Sequence, residues 1–122
     1  MSHSFQIRPP NSILFIVDPS GEVIPELTRD RRRLWSTDSC IVVGCLVEQD
    51  GPTNVTVGPN EHIALSMPPA FDGILKTPSR IVLISTSERQ SIFETTVQGS
   101  QTRVRIWTNH PSEPDEVVIG LE

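Results

Sequence analysis

The sequence predicts an all-β fold, an antiparallel β-sandwich of about eight short strands that forms a single domain over residues 1–122. Apolar residues make up 36% of the chain and are concentrated in β-branched and aliphatic runs such as SILFIV, CIVVGCLV and RIVLIS. Eleven prolines and seven glycines separate these runs at short intervals, which is typical of strands joined by turns. At 122 residues, the chain is long enough to bury one core without a metal or a disulfide.

Strand-like segments cover the whole length, whereas helical segments do not. Only PELTRDRRRLW, residues 25–35, favours a helical turn, because Pro25 is tolerated in the first turn of a helix. Without helices between the strands, a parallel βαβ arrangement is excluded. We predict eight strands, besides an extra one close to the N-terminus, near residues 12–18, 39–48, 53–57, 61–67, 80–86, 91–97, 102–108 and 115–121.

The segments between these strands have the chemistry of turns. VDPSGE, DGPTN and GPNE combine proline, which fixes φ, with glycine, which permits positive φ, and with side chains that bond to the local backbone. The polar breaks TSERQ and QGSQ each suit a hairpin. We therefore predict that the last four strands form a meander.

The strand around Trp107 carries the pattern that matters most for function. Because a strand sends successive side chains to opposite faces, Val104 and Ile106 share one face, and Arg103, Arg105 and Trp107 share the other. We expect the two aliphatic residues to be buried. The tryptophan falls on the charged side, which raises the question of whether it is scaffold or binding surface.

The charge balance restricts the class of partner. A formal net charge of −5 argues against direct nucleic-acid binding, because lysine and arginine supply most phosphate contacts. The cluster RDRRR, residues 29–33, runs against this trend and is interpreted as a solvated turn or short helical segment. No apolar stretch reaches the roughly 20 residues needed to span a bilayer, and no signal peptide is recognised. We expect a cytoplasmic protein without a membrane partner.

Metal, cofactor and catalytic motifs are not recognised in the sequence. Cys40 and Cys45 are five residues apart, so in one strand they point to opposite faces, and we expect them to be buried, reduced and unbridged. The histidines, His3, His62 and His110, have no metal-ligand spacing with each other or with the cysteines. No GxSxG elbow or glycine-rich phosphate loop is present. We predict no catalytic residue, no cofactor and no metal site.

Recognition of a protein is the function that the residues favour. Tryptophan and arginine often anchor interfaces, although arginine over tryptophan also covers solvent-facing sheets. The loop TNHPSEPDE, after Trp107, concentrates negative charge that would steer a cationic partner. We predict a partner-binding site formed by Trp107, Arg103, Arg105, Glu113, Asp115 and Glu116.

The C-terminal half resembles the competence protein J family of small bacterial nuclease inhibitors. The order FDGILKTPSRIVLIS, SIFETTVQGSQTRVRIWT and EVVIGL carries the resemblance over residues 61–122, chiefly through Phe71, Ile81, Gly99 and Trp107. The resemblance implies a cytoplasmic β-sandwich that binds and blocks a DNA nuclease or toxin with a basic cleft. It transfers no inhibitory residue to this sequence, and RDRRR is unlike a purely acidic mimic.

Three hypotheses remain open from the sequence. The first is a non-catalytic inhibitor or immunity protein whose acidic loop blocks a basic active site. The second is a small ligand-binding sandwich, carbohydrate- or calcium-dependent, with Trp107 as a stacking platform. The third, a hydrolase, requires a histidine within hydrogen-bond reach of a serine or carboxylate in a pocket.

Overall fold

The computed structural model describes residues 2–29 and 31–122, and its regular secondary structure is almost entirely strand. The described residues form ten strands, one helical turn at Asn60–Ile63, and two short 3-10 turns at Pro10–Ser12 and Glu48–Asp50. The all-β prediction is therefore confirmed. The strands are β1 (His3–Ile7), β2 (Ile13–Val17), β3 (Leu34–Ser36), β4 (Cys40–Gly44), β5 (Thr53–Pro59), β6 (Phe71–Lys76), β7 (Ile81–Thr86), β8 (Ser91–Thr96), β9 (Gln101–Thr108) and β10 (Glu116–Leu121).

The strands form two five-stranded sheets. Sheet A has the order β1-β5-β10-β9-β6, and sheet B has the order β3-β4-β2-β7-β8. Every pair of neighbours is antiparallel except β5 and β10, which run parallel. The predicted antiparallel sandwich is confirmed with this one exception. Because β5 and β10 are far apart in the chain, no hairpin constrains them to run in opposite directions.

The core lies between the two sheets. Alternate residues of the strands point inward, as the period of two predicts, and those of β9 include Val104 and Ile106, both without solvent exposure. The predicted register of this strand is thus confirmed. Buried residues from both sheets form one cluster: Leu14, Ile16, Ile41, Val43, Cys45, Val55, Val57, Leu75, Val82, Ile84, Val104, Ile106, Val117 and Ile119.

Two long connections cover the outer faces of the sheets. In sheet B the chain passes from β2 to β3, which lie on either side of β4, so the connection between these two strands crosses β4. In sheet A it passes from β5 to β6 across β10 and β9. The two strands joined by each connection run parallel to each other. In sheet B, β4 is antiparallel to both β2 and β3. In sheet A, β10 is parallel to β5, and β9 is antiparallel to both β10 and β6. The covered outer face of sheet B explains why every residue of β4 is buried.

The helical turn predicted at residues 25–35 is wrong. The described part of this segment is irregular chain, with a bend at residues 31–32, and it leads into the short edge strand β3, which the sequence did not reveal. Pro25 is buried against the fold instead of starting a helix. Tertiary contacts override the local preference for a helical turn. Val23 donates its backbone N–H to Ser39 Oγ, and Trp35 Nε1 donates to Thr28 Oγ1.

The strand predicted at residues 61–67 is also wrong. This stretch starts with one helical turn, Asn60–Ile63, and continues as an irregular loop to Ala70. It crosses the outside of sheet A, where the strands beneath it are already paired, so it has no strand edge to join. Its alternating apolar residues do not reach the core, and Leu65 and Met67 stay exposed.

The predicted meander is correct at its ends and wrong in the middle. TSERQ forms the hairpin between β7 and β8, and β9 and β10 are antiparallel neighbours. QGSQ, however, carries the chain from sheet B to sheet A. The strand β6, missing from the prediction, pairs with β9 and has Leu75 buried and Ile74 exposed, the alternation of an edge strand.

Candidate functional site

The two predicted arginines lie on the outer face of sheet A in a network with two carboxylates. Arg103 contacts Asp72 in a bidentate pair, with Nε to Oδ1 and Nη2 to Oδ2 both at 2.8 Å. Arg105 Nε lies 3.5 Å from Asp72 Oδ2, and both guanidinium groups lie within 3.7 Å of Glu122 Oε1. Two positive and two negative charges therefore balance, so this face is not a free cationic patch.

The network shifts the pKa values of two of its members, Asp72 and Arg103. Hydrogen bonds from Arg103, supported by the charges of Arg103 and Arg105 and opposed by burial, hold the pKa of Asp72 below its usual value. The same pair raises the pKa of Arg103. Asp72 and Arg103 are therefore both held in their charged forms, and their pairing joins β6 to β9.

Trp107 shares the outer face with these arginines, as the alternation predicts, yet it is only 3% exposed. The loop between Asn60 and β6 lies over the indole, and Trp107 Nε1 donates to the carbonyl oxygen of Met67 at 2.8 Å. Ala70 N–H donates to the carbonyl of Ile106 beside it. The structure thus gives Trp107 a packing role, in which it attaches the crossing loop to sheet A. Partner binding by Trp107 stays a prediction.

The acidic loop, residues 109–115, joins β9 to β10 and is ordered by two side chains. Asn109 Oδ1 accepts the N–H groups of Asp115 and Glu116, both at 3.2 Å, and its Nδ2 donates to Asp115 Oδ1 at 2.6 Å. His110 Nδ1 accepts the N–H of Glu113 at 3.0 Å. These roles are not evident from the residue pattern, although asparagine in a loop is a frequent partner of the local backbone.

Glu113, Asp115 and Glu116 are all exposed at this end of the β9–β10 hairpin. Glu116 Oε1 also accepts from Asn54 Nδ2 at 3.1 Å, which connects the loop to β5. Five residues of strand separate Arg103 from Thr108, about 17 Å at 3.3 Å per residue. The structure therefore brings the three carboxylates together but places the arginine network farther along the hairpin.

Arg33 supports the acidic loop from sheet B, a role that the sequence analysis missed. Its Nη1 donates to the carbonyls of Ser112 and Cys45 at 3.2 and 3.3 Å, and its Nη2 donates to that of Ser12 at 3.4 Å. Its side chain crosses directly over Gly44, where any larger residue would collide with it. The guanidinium also lies 5.9 Å from the ring centre of Trp35. Part of RDRRR is therefore structural rather than a solvated turn.

The two cysteines are buried, whereas His110, whose Nδ1 lies 3.4 Å from Ser112 Oγ, is exposed in the acidic loop. Cys40 and Cys45 are buried and unbridged, as predicted, and burial raises the pKa of each thiol to about 12, so both stay protonated at neutral pH. Within residues 2–29 and 31–122, no three His, Cys, Asp or Glu side chains are grouped to hold a metal ion. The same residues include no helix long and apolar enough to cross a membrane.

An open cavity of about 510 Å³ lies at the end of the sandwich where β5, β8 and β10 approach each other. Phe93, Val57 and Thr95 contribute to its wall, and His3 lies at its edge, 5.2 Å from the Phe93 ring between centroids. Neither Trp107 nor the acidic loop lines it. The cavity therefore does not assemble the residues that the ligand-binding hypothesis requires.

Two solved structures share this fold over nearly the whole chain. The first is ComJ from Bacillus subtilis, described as the inhibitor of the DNA-degrading activity of NucA, with a TM-score of 0.70 and 8% identity over 98% of this chain and 93% of ComJ. The chain has the ComJ fold. The second is crocagin biosynthetic gene J, with a TM-score of 0.56 and 14% identity over 99% of this chain and 97% of that one.

The likeness to ComJ extends beyond the C-terminal half to which the sequence resemblance was confined. No protein-family model matches the sequence, and no curated protein matches it either. At 8% identity the two chains share an arrangement of strands, not a set of surface residues.

Proposed function

We propose that this protein is a non-catalytic inhibitor or immunity protein that binds and blocks a DNA nuclease or nuclease toxin with a basic cleft. The observation that carries the proposal is the likeness in fold to ComJ over 98% of the chain, since ComJ is itself a nuclease inhibitor. The net charge of −5 is compatible with a partner whose cleft binds DNA.

The acidic loop, residues 109–115, together with Glu116, is our candidate for the surface that enters the cleft. Its three carboxylates, Glu113, Asp115 and Glu116, are exposed, and its backbone is held by Asn109 and His110. An ordered loop loses little conformational entropy on binding, so more of its interaction energy contributes to affinity. Carboxylates placed where DNA phosphates would lie exclude the substrate and accelerate encounter with the nuclease.

The arginines of the predicted site have a supporting role in this proposal. Arg103 and Arg105 are paired with Asp72 and Glu122, and they order the outer face of sheet A beside the hairpin. Trp107 supports the same face from beneath the crossing loop. Its low exposure also disfavours the carbohydrate hypothesis, because a stacking platform must be open to its ligand.

The test starts from the native host. The immobilised protein is used to recover its partner from a lysate, the partner is identified by mass spectrometry, and the purified partner is assayed for DNA cleavage. Association kinetics are then measured for the loop variant Glu113→Gln/Asp115→Asn/Glu116→Gln. A control variant, Glu26→Gln/Glu88→Gln/Glu94→Gln, changes the net charge equally at three exposed sites elsewhere.

We expect the loop variant to associate about tenfold more slowly than wild type and to lose salt dependence, because charges at the rim of an interface act mainly on the association rate. The control variant should change the rate by less than about twofold. Equal effects of both variants would assign the steering to overall charge and reject the loop as the binding surface. Recovery of a partner without nuclease activity would reject the proposed function.

A further inference from the structure

A groove of about 610 Å³ lies on the outer face of sheet B, apart from the acidic loop. It forms where the connection from β2 to β3 crosses the sheet. Three apolar residues, Ile13, Leu27 and Trp35, contribute to its lining, together with Arg29, Arg31 and Arg33. A groove that combines a positive rim with an apolar wall has the chemistry of a peptide-binding site.

The positive charge of the groove is not neutralised within the described chain. Arg29 and Arg31 are exposed, and none of the ion pairs among residues 2–29 and 31–122 involves either of them. Arg33 donates to backbone carbonyls, which orient its guanidinium but do not cancel its charge. Arg103 and Arg105, in contrast, are paired with carboxylates. The arginines of the groove therefore keep a positive charge that no described carboxylate balances, whereas the charges of Arg103 and Arg105 are balanced.

The apolar wall continues beyond the groove. Leu27 is 44% exposed, and Val23 and Ile24, earlier on the same connection, are 67% and 48% exposed. The ring of Trp35 is partly buried, and its Nε1 donates to Thr28 Oγ1 across the groove at 3.3 Å. The connection therefore presents aliphatic side chains to solvent next to arginines that form no ion pair with residues 2–29 and 31–122, which is the composition of an interface rather than of a solvated turn.

We propose that this groove binds an acidic, extended segment of a partner protein that carries one apolar side chain. The carboxylates of such a segment would pair with Arg29 and Arg31, and its apolar side chain would pack against Leu27 and Trp35. An extended conformation fits because β3, beside the groove, is the edge strand of sheet B.

The charge of the whole chain separates this partner from a nucleic acid. Single-stranded nucleic acids are bound along continuous positive grooves with several stacking aromatic residues. Here Trp35 is the sole aromatic side chain lining the groove in the described chain, Arg33 already lies over it, and the net charge of −5 repels a polyanion. A short acidic peptide meets the local positive field without a long negative backbone.

The probe for the test is a short fluorescein-labelled peptide in which glutamates flank one central phenylalanine. Binding is measured by fluorescence polarisation for wild type, for Arg29→Gln/Arg31→Gln and for the control Arg32→Gln/Arg80→Gln. The control removes the same charge from exposed residues that do not line the groove. Circular dichroism verifies that each variant is folded. No nuclease is present, so the result is independent of the proposed inhibition.

We expect the groove variant to bind the peptide at least about tenfold more weakly than wild type and the control to stay within about twofold. Peptides with glutamine for glutamate, or serine for phenylalanine, should each bind more weakly than the probe. Equal losses in both variants, or no binding of the probe by wild type, would overturn the proposal. Tighter binding of single-stranded oligothymidine, or self-association that Arg29→Gln/Arg31→Gln abolishes, would assign the groove to a nucleic acid or to a second copy instead.

Discussion

Replacing Trp107 by alanine should destabilise the protein by about 3 kcal/mol, because the indole holds the loop between Asn60 and β6 against sheet A. Truncation of a buried tryptophan costs roughly 3–5 kcal/mol, and Trp107 is 3% exposed. The lower end of that range applies because the side chain lies beneath a surface loop, which can close part of the cavity. Loss of the 2.8 Å bond to the Met67 carbonyl contributes about 1 kcal/mol of this total.

Urea unfolding followed by circular dichroism measures this change as a shift in midpoint at constant slope. Trp107→Phe keeps one aromatic ring but removes the hydrogen bond and the second ring of the indole, so about 1–2 kcal/mol should be lost, less than for alanine. Ile74→Ala is the matched control, because Ile74 is 52% exposed on the neighbouring strand and should cost less than about 0.5 kcal/mol. A loss below about 1 kcal/mol for Trp107→Ala would refute the packing role and make Trp107 available again as a partner-binding residue.

Three further predictions concern the support of the fold. Arg33→Gln should cost about 2 kcal/mol and accelerate amide hydrogen exchange in residues 109–115, because the glutamine cannot reach all three carbonyls; unchanged exchange would contradict this. Burial raises the pKa of Asp18, but hydrogen bonds from Ser20 and Ser79 outweigh it and leave the pKa lowered. Its contribution to stability should therefore be complete above the unfolded value near 3.9 and lost as the pH falls through the folded value, and Asp18→Asn should reduce this acid dependence in unfolding curves. Cys40 and Cys45 should react with a thiol reagent only after urea unfolding, and rapid labelling of the folded protein would show that the thiols are accessible.

The features of the fold that could be predicted from the sequence are those that depend on local periodicity and on turn chemistry. The alternation in β9 correctly buries Val104 and Ile106, and the turn chemistry of TSERQ correctly predicts the β7–β8 hairpin. The two crossing connections could not be predicted, because their paths depend on which strands become neighbours within each sheet. The segment 61–67 alternates like a strand, yet the sheet beneath it offers no free edge.

In the candidate site, too, the features that depend on neighbouring residues could be predicted, and the long-range contacts could not. Periodicity places Arg103, Arg105 and Trp107 on one face, but the carboxylates that pair with the arginines come from β6 and the C-terminal residue. The loop that covers Trp107 contacts it through Met67, forty residues earlier in the chain. Contacts over such separations leave no spacing pattern in the sequence. The exposed fraction of Trp107 therefore could not be predicted without the structure.

A titration of DNA cleavage tests most directly whether the chain blocks a nuclease by binding to it, as we propose. The nuclease recovered from the native host is incubated with increasing amounts of the purified protein, and cleavage of a labelled DNA duplex is followed. We expect cleavage to fall in proportion to the added protein and to stop near equimolar amounts, and we expect excess DNA to delay association. Cleavage that continues unchanged at a large molar excess of the protein would contradict the account.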